Sequence, residues 1–299
     1  MKCSRCGSDA VIFYPQSRQA LCTEHLQEYL LRKVTRAIRR FKMLERGEKV
    51  LVAVSGGKDS LLLWYLLKEL GHTVEGVHIN LGLGDYSKLS EEVSRRFAER
   101  IGCRLQVIGV EEDYGINIVG TSRRLHRPPC SVCGTVKRYV LNKAAVESGS
   151  VLATGHNLDD EAATLMGNIL SWNLEQLRRA SPALPSNHPK LARRIKPLIY
   201  ITEKESATFC LARGIEYVLP ECPYSLAARL AVVKDALARV EDKSPGTLLN
   251  FVDSFYRKRP VALGPSGDVQ EVELKECPSC GYLTSSSGLC AFCRLKGIS

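Results

Sequence analysis

Residues 49–64 read KVLVAVSGGKDSLLLW. The apolar run up to Val54 predicts a buried strand, the two glycines predict a turn, and the residues after them predict the start of a helix. Glycines let a backbone approach a phosphate closely, and the free N–H groups of a helix's first turn point at such an anion. Ser55 and Ser60 add hydroxyl donors, and Asp59 adds a carboxylate that suits Mg²⁺. The stretch therefore predicts a phosphate-binding turn at the end of a strand.

The pattern from residue 48 to about 218 alternates between strand and helix. The expected strands are 49–54, 73–79, 104–110, 151–154 and 194–198. The expected helices are 58–70, 87–101, 134–148, 158–170 and 203–213. This order predicts an α/β fold with a parallel, doubly wound sheet and helices on both faces. A ligand of such a sheet binds at the carboxyl ends of the strands, where the glycine turn is expected.

Composition and charge restrict the class of protein. The 299 residues are 44% hydrophobic and 25% charged, as is typical of globular proteins. We expect no transmembrane helix and no secretory signal, and therefore a cytoplasmic location. The net charge of +10 favours a polyanionic partner. One basic group alone is more readily explained as a solvated face, but several together favour nucleic acid. The basic groups are Arg32, Lys33, Arg36, Arg39, Arg40 and Lys42; Arg123, Arg124 and Arg127; Arg178 and Arg179; and Arg193, Arg194 and Lys196.

Twelve cysteines in a chain without an export signal indicate metal ligands rather than disulfides. Two sets, one at each end of the chain, have the paired spacing of zinc knuckles. Four ligands suit tetrahedral Zn²⁺ and leave no open position, so we expect both sites to be structural and to carry the folding of their short modules. The expected zinc ligands are Cys3, Cys6, Cys22 and His25 in the first set, and Cys277, Cys280, Cys290 and Cys293 in the second.

A third set of cysteines has a different pattern. Cys130 and Cys133 precede a helix expected to begin near Gly134, and Cys222 lies far downstream. Three thiolates suit a [4Fe–4S] cluster with one open iron, and they equally suit a persulfide relay. A simple knuckle with an unrelated buried cysteine is the third alternative. The residues alone leave these alternatives open.

Three features together resemble the tRNA 2-thiolation enzymes of the TtcA/TtuA family, within the adenine-nucleotide α-hydrolase superfamily. They are the SGGKDS turn at 55–60, the three cysteines just described, and the segment GHNLDD at 155–160. The resemblance covers essentially the whole chain. Zinc modules at both ends make it most similar to the TtuA branch, the tRNA 2-thiouridine synthetases.

The resemblance implies a two-step reaction. ATP would adenylate O2 of a uracil in tRNA, typically U54 of the T-loop, and sulfur held at a [4Fe–4S] cluster on Cys130, Cys133 and Cys222 would replace that oxygen. The implied cofactors are ATP, Mg²⁺, one [4Fe–4S] cluster and two Zn²⁺. The implied partners are tRNA and a ubiquitin-like sulfur carrier with a C-terminal thiocarboxylate. A homodimer is one assembly to test, and no membrane partner is expected.

The expected catalytic residues are Asp59, Lys137 and Asp160. Lys137 lies four residues after Cys133, so the two share one side of a helix, although a solvated helix lysine explains this position equally well. Asp160 suits a metal ligand or a base, and the alternative is a carboxylate that satisfies a helix N-terminus. The expected ATP-binding residues are Ala53, Val54, Ser55, Gly56, Gly57, Asp59, Ser60, Ile79, Lys137, Gly155, His156 and Asn157.

Five units are expected along the chain. They are an N-terminal zinc module at 1–25, a basic linker helix at 26–46, an ATP-binding catalytic domain at 47–222, a helical extension and linker at 223–275, and a C-terminal zinc module at 276–299. Three other functions stay open. The first is tRNA cytidine 2-thiolation, whose enzymes usually lack the terminal zinc modules. The second is an amide-forming or lysidine-type ligase, which does not need the three cysteines. The third is a non-catalytic zinc-ribbon RNA-binding protein.

Overall fold

A computed structural model of the chain describes residues 1–186, 188–219, 222–224, 229–263 and 274–297. The strands are β1 (Ile12–Tyr14), β2 (Gln19–Leu21), β3 (Lys49–Val54), β4 (Thr73–Asn80), β5 (Leu105–Gly109), β6 (Val151–Thr154), β7 (Ala183–Leu184), β8 (Arg194–Ile195), β9 (Lys275–Glu276) and β10 (Leu283–Thr284). The helices are α1 (Thr23–Arg40), α2 (Lys58–Glu69), α3 (Asp85–Ile101), α4 (Val110–Tyr114), α5 (Ile118–Arg124), α6 (Pro129–Glu147), α7 (Leu158–Leu170), α8 (Leu174–Arg179), α9 (Glu203–Ala212), α10 (Arg229–Lys243), α11 (Thr247–Leu263) and α12 (Ala291–Lys296). Among these described residues, every helix is too short or too polar to span a bilayer.

The central sheet has six strands in the order β5-β4-β3-β6-β8-β7. The first five run parallel, and β7 pairs antiparallel with β8 at one edge. From β3 the chain builds outward to β4 and β5 on one side, and then crosses to β6 and β8 on the other. The crevice between β3 and β6 is therefore the switch point at which doubly wound sheets bind ligands. The predicted α/β fold is confirmed.

Both faces of the sheet are covered, as its near-continuous apolar strands require. Along β3, Val50, Val52 and Val54 belong to one hydrophobic cluster, which includes the fully buried Trp64 of α2. Leu51 points the other way, into a second cluster built largely on α6 and the C-terminal module. One strand thus contributes alternate side chains to two cores.

Helix α6 begins at Pro129, five residues before the predicted start near Gly134, because Pro128 and Pro129 favour a helix start there. Pro128 is the N-cap residue, with extended backbone, and Pro129 occupies the first turn, where its fixed φ and missing N–H are tolerated. The prediction that Cys130 and Cys133 precede the helix is therefore wrong. Both cysteines lie in its first two turns.

The basic helix α1 ends at Arg40 rather than continuing to 46. Lys42 has a left-handed φ of 48°. The N–H of Met43 bonds the carbonyl of Ile38 at 3.0 Å, and the N–H of Lys42 bonds that of Arg39 at 3.4 Å. This is the Schellman arrangement that terminates helices, completed by the buried Met43 side chain. The sequence offered no glycine at this position to reveal it.

Three of the six basic residues in this helix and its end are used inside the chain. Arg36 and Arg40 pair with Asp253 of α11. Lys33 pairs with the buried Glu205 at 2.6 Å. These ion pairs attach the helix to the body of the protein. The three paired side chains are therefore less available to bind nucleic acid.

The division into five units stays a prediction. Residues 225–228 and 264–273, within the expected helical extension and linker, lie outside the described residues. Its described part consists of two helices, α10 and α11, with a turn at 244–246 between them.

Glu205 offers a test of how the N-terminal segment is attached. Its carboxylate, only 2% exposed, pairs with Lys33 and accepts a hydrogen bond of 2.8 Å from the Tyr14 hydroxyl of β1. We expect Glu205→Ala to lower the free energy of unfolding by about 3 kcal/mol, because it leaves a half-buried ammonium and a buried hydroxyl unpaired. Urea unfolding measures this, and Glu205→Met with Lys33→Met should recover the part of the loss that comes from the unpaired ammonium, while the Tyr14 hydroxyl stays unpaired. A change below about 0.5 kcal/mol in the single variant would contradict the expectation.

Candidate active site

A cavity of about 380 Å³ opens where β3, β4 and β6 end. It lies at the switch point of the sheet, where the fold places a ligand site. Eleven of the expected residues line it: Ala53, Val54, Ser55, Gly57, Asp59, Ser60, Ile79, Lys137, Gly155, His156 and Asp160. Two expected ATP-binding residues, Gly56 and Asn157, are not among the residues that line this cavity.

The glycine turn is held in shape by its own serines. The Ser60 hydroxyl accepts the N–H of Ser55 at 3.1 Å and donates to the carbonyl of Gly57 at 2.9 Å. Helix α2 follows with Gly57 as its N-cap and without a side-chain cap. Its first N–H groups therefore remain available to an anion in the cavity.

Gly56 and Gly155 provide space for neighbouring backbone segments. Gly56 has a φ of +75°, and a Cβ there would lie 2.7 Å from the carbonyl oxygen of Ser90 on α3. A Cβ on Gly155 would lie 2.9 Å from the backbone nitrogen of Ser60. No larger residue fits either position without moving backbone. These two glycines let α3 and the end of β6 close around the turn.

Asn157 positions Asp59 from behind the cavity. Its side chain is fully buried, and its amide donates a hydrogen bond of 3.0 Å to Asp59 Oδ1. Its Oδ1 also accepts the N–H of Asp160 at 3.0 Å, and the Asp160 carboxylate accepts the N–H of Asn157 at 3.2 Å. This reciprocal capping box begins α7. Asn157 thus ties the start of α7 to the carboxylate that faces the phosphate site.

Asp160 has the capping role that the sequence left open, and it is also ion-paired. Its second oxygen accepts a hydrogen bond of 2.9 Å from Lys234 of α10. Lys234 also pairs with Glu203 at 2.7 Å, and Glu203 pairs with Lys58 at 2.6 Å. Burial works against the charge on Lys234, but its two acidic partners outweigh this and raise its pKa. Lys234 has no local signature in the sequence, because its partners Asp160 and Glu203 lie far away in the chain.

Helix α3 supplies cavity residues that were not predicted, among them Tyr86, Ser87 and Ser90. The sequence contains one signal for these cavity residues, because serines recur at helical spacing on the face of α3 that meets the sheet. His78 of β4 also lines the cavity and is 2% exposed. Its Nδ1 lies 2.9 Å from the carbonyl oxygen of Val54, and burial lowers its pKa, which favours the neutral ring. Its Nε2 has no hydrogen-bond partner among the described residues.

The three cysteines of the central set lie near one another and near the cavity. The Cys130 thiol donates to the carbonyl of Tyr224 at 3.1 Å, which brings the segment containing Cys222 to the start of α6. Burial raises the pKa of Cys133, the Lys137 ammonium opposes that rise, and the charges of Cys222 and Cys130 add to it. Lys137 also lines the cavity. One lysine therefore connects the thiols with the phosphate site.

This set fits an iron–sulfur cluster better than a single metal ion. Among the described residues, groups whose ligand atoms all lie within 4.8 Å of one another are found only in the two terminal modules. A cube of four irons holds its cysteine sulfurs farther apart than one tetrahedral ion does. The positive end of the α6 dipole also favours an anionic group at Cys130.

The terminal modules have the geometry of tetrahedral zinc. Sulfur–sulfur separations are 3.7 Å for Cys6 and Cys22, and 3.7 Å for Cys280 and Cys290. A tetrahedron with Zn–S bonds of about 2.3 Å has edges of about 3.8 Å. In the N-terminal module, His25 Nδ1 lies 3.2 Å from the Cys22 sulfur.

Each module favours the thiolate, the form of cysteine that binds metal, at one of its cysteines. Burial opposes ionisation of Cys3, but backbone N–H groups of Arg5, Cys22 and Cys6 outweigh it and lower its pKa to about 6. Backbone N–H groups lower the pKa of Cys277 to about 6 against the same opposing burial. The residues present therefore fit two structural Zn²⁺ ions.

Two family models match the chain. Residues 27–222 match the PP-loop domain, and residues 2–27 match the N-terminal LIM domain of the 2-thiouridine synthetase TtuA. Among curated proteins, the chain is 44% identical to a tRNA-5-methyluridine(54) 2-sulfurtransferase of Pyrococcus horikoshii, over 100% of this chain and 94% of that protein. It is 46% identical to the enzyme of the same name from Thermus thermophilus, over 99% and 91%.

A solved structure agrees with these matches. The U34-tRNA thiolase NcsA from Methanococcus maripaludis, determined with its [4Fe–4S] cluster, superposes with a TM-score of 0.81 at 29% identity. The superposition covers 99% of this chain and 96% of that one. The similarity extends over the terminal modules as well as the central sheet.

Cys3→Ser tests the N-terminal zinc site. We expect the bound zinc to fall from two ions per chain to one and the melting temperature to drop, because metal binding contributes to the folding of this module. Elemental analysis and thermal unfolding measure the two effects. Cys103→Ser is the matched control, since Cys103 lies in neither module. Unchanged zinc content and melting temperature in Cys3→Ser would contradict the assignment.

Proposed function

The chain belongs to the PP-loop family and, within it, to the TtcA/TtuA family of tRNA 2-thiolation enzymes, and on this basis we propose that it is an ATP-dependent tRNA 2-thiouridine synthetase. One observation carries the proposal. Lys137 lines the phosphate cavity and lies against the Cys133 thiol, so the activating site and the sulfur site share one side chain.

The first step is activation of the uracil. The phosphates of ATP lie against the glycine turn and the first N–H groups of α2, with Asp59 placed to hold Mg²⁺. Uracil O2 attacks the α-phosphorus, the bond between the α-phosphorus and the bridging oxygen breaks, and pyrophosphate leaves. The Lys137 ammonium and the turn N–H groups stabilise the charge that develops on the phosphate oxygens.

The second step is exchange of oxygen for sulfur. A sulfur nucleophile adds to C2, the C2–O2 bond breaks, and O2 leaves as part of AMP. Cys130, Cys133 and Cys222 would hold a [4Fe–4S] cluster, which when bound supplies sulfur in a reactive form. Lys137, next to these thiols, is placed to attract an anionic sulfur toward the activated carbon and to stabilise the leaving AMP.

Position 54 is the proposed target, because the two U54 sulfurtransferases are 44% and 46% identical to this chain, against 29% for the U34 thiolase. A ubiquitin-like carrier with a C-terminal thiocarboxylate is the proposed sulfur source. A homodimer is the proposed assembly. These three proposals rest on family resemblance, and the reaction chemistry does not depend on them.

Mass spectrometry of nucleosides tests the function. Holoenzyme incubated anaerobically with ATP, sulfide and unmodified tRNA should produce a 2-thiouridine nucleoside and AMP. Asp59→Ala should reduce AMP formation by about 10²-fold or more, because it removes the proposed metal ligand, and should retain tRNA affinity. Asp85→Ala is the matched control, since Asp85 is also a first-turn carboxylate but is fully exposed. Thiocytidine as the product, or no thiolated nucleoside, would overturn the proposal.

Cys222→Ser tests the sulfur site separately. Wild-type protein purified anaerobically should be brown, with a broad absorbance at about 400 nm, because iron–sulfur clusters absorb there. The variant should lose both this absorbance and thiolation while still binding ATP. Cys103→Ser should keep all three properties. Full thiolation by colourless wild-type protein would exclude the cluster.

A further inference from the structure

A second cavity, of about 600 Å³, lies between α6, the β7–β8 edge of the sheet and the C-terminal zinc module. Arg138, Arg179 and Arg194 line it together with Tyr139 and Tyr282. We call it the arginine cleft. None of the functions described above uses it.

The cleft is positively charged: among the described residues, Arg179 pairs with Glu175 at 2.8 Å, whereas Arg138 and Arg194 have no ion pair. Three guanidinium groups line it, and none of the described residues that line it is acidic. Arg193 and Lys196, close to Arg194 in sequence, are paired with Glu48 at 2.5 Å and Glu161 at 2.6 Å. The Arg194 side chain is exposed and has neither a hydrogen bond nor an ion pair with any described residue. The basic group at 193–196 thus contains two structural cations and one unpaired cation that faces the cleft.

The wall of the cleft is rigid and aromatic. The rings of Tyr139 and Phe292 stack at 3.7 Å with an interplanar angle of 5°, and Tyr282 packs 4.9 Å from Tyr139. Tyr282 lines the cleft together with Arg138 and Arg194. Such a surface offers fixed donors to phosphate oxygens with little loss of side-chain entropy.

Helix α6 separates the arginine cleft from the ATP cavity. Lys137 and Leu141 line the ATP cavity, whereas Arg138 and Tyr139 line the cleft. Successive residues of a helix point about 100° apart, so the two hollows lie on adjacent sides of one helix of about 10 Å diameter. A ligand that extends beyond the ATP cavity across α6 would meet the arginines directly.

We infer that the arginine cleft binds the phosphodiester backbone of the tRNA substrate, beside the nucleotide that enters the ATP cavity. The inference rests on the proposed function. Guanidinium forks match phosphate oxygens in geometry, and several separated cations suit a polyanionic strand better than a single carboxylate. The cleft also gives the C-terminal zinc module a role, because that module forms one wall of it.

The test is salt-dependent binding of unmodified tRNA to the holoenzyme. We expect Arg194→Ala to weaken binding several-fold and Arg138→Ala with Arg194→Ala to weaken it about 10-fold or more at moderate salt. The slope of log Kd against log salt concentration should fall by about 1 for each arginine removed. Arg104→Ala is the matched control, since Arg104 is also exposed but lies beside β5 at the opposite edge of the sheet. It should leave both quantities unchanged.

Two outcomes would overturn the inference. The first is a double variant that binds tRNA with wild-type affinity and salt slope. The second is a double variant that binds tRNA normally and thiolates it with free sulfide, but fails with a protein-borne thiocarboxylate. That result would assign the cleft to the tail of a sulfur carrier. Arg194→Ala alone keeps the test valid if the double variant folds poorly. Failure of wild-type protein to thiolate tRNA would contradict the proposed function and leave the affinity comparison intact.

Discussion

The site depends on a close approach of three backbone segments at the switch point of the sheet. Gly155, after β6, packs against the start of α2, and Gly56 in the phosphate turn packs against α3. A side chain at either glycine would hold these segments apart by clashing with backbone atoms rather than with flexible side chains. The N–H groups of the turn, the carboxylate of Asp59 and the end of β6 can face one ligand only because both positions lack a Cβ.

Helix α6 connects the parts of the molecule that the proposed chemistry needs. Its first turns contain Cys130 and Cys133, its next turn presents Lys137 to the ATP cavity, and Tyr139 then stacks on Phe292 of the C-terminal module. A rigid helix fixes the distances between these groups, so the sulfur site, the phosphate site and the outer cleft cannot move independently. A Zn²⁺ ion held by the four cysteines of the C-terminal module would stabilise one wall of the cleft, at a distance from the chemistry.

The excess of basic residues has two physical roles in this fold. Lys33, Arg193 and Lys196 lie in ion pairs with acids of distant segments, where they attach helices and strands to the body. Such partly buried pairs are costly to break, since the remaining charge stays desolvated. Arg138 and Arg194 in the arginine cleft have no ion pair among the described residues and are available to an external anion. The net charge indicates a polyanionic partner. Which basic residues are paired inside the chain, and which are available to that partner, is seen only from the contacts in the structure.

Features encoded by neighbouring residues were determined by the sequence itself. Local spacing and periodicity predict the strand–turn–helix around Gly56 and the paired cysteines of the terminal modules. They also predict that strands and helices alternate along the chain. Other features needed the tertiary structure, because they join residues far apart in the chain with no local signature. Cys222 reaches α6 through a contact of Tyr224 with Cys130, and Lys234 reaches Asp160 from a separate helix. The sequence puts Asn157 at the carboxyl end of a strand, but its buried contact with Asp59 arises only where two strand ends meet.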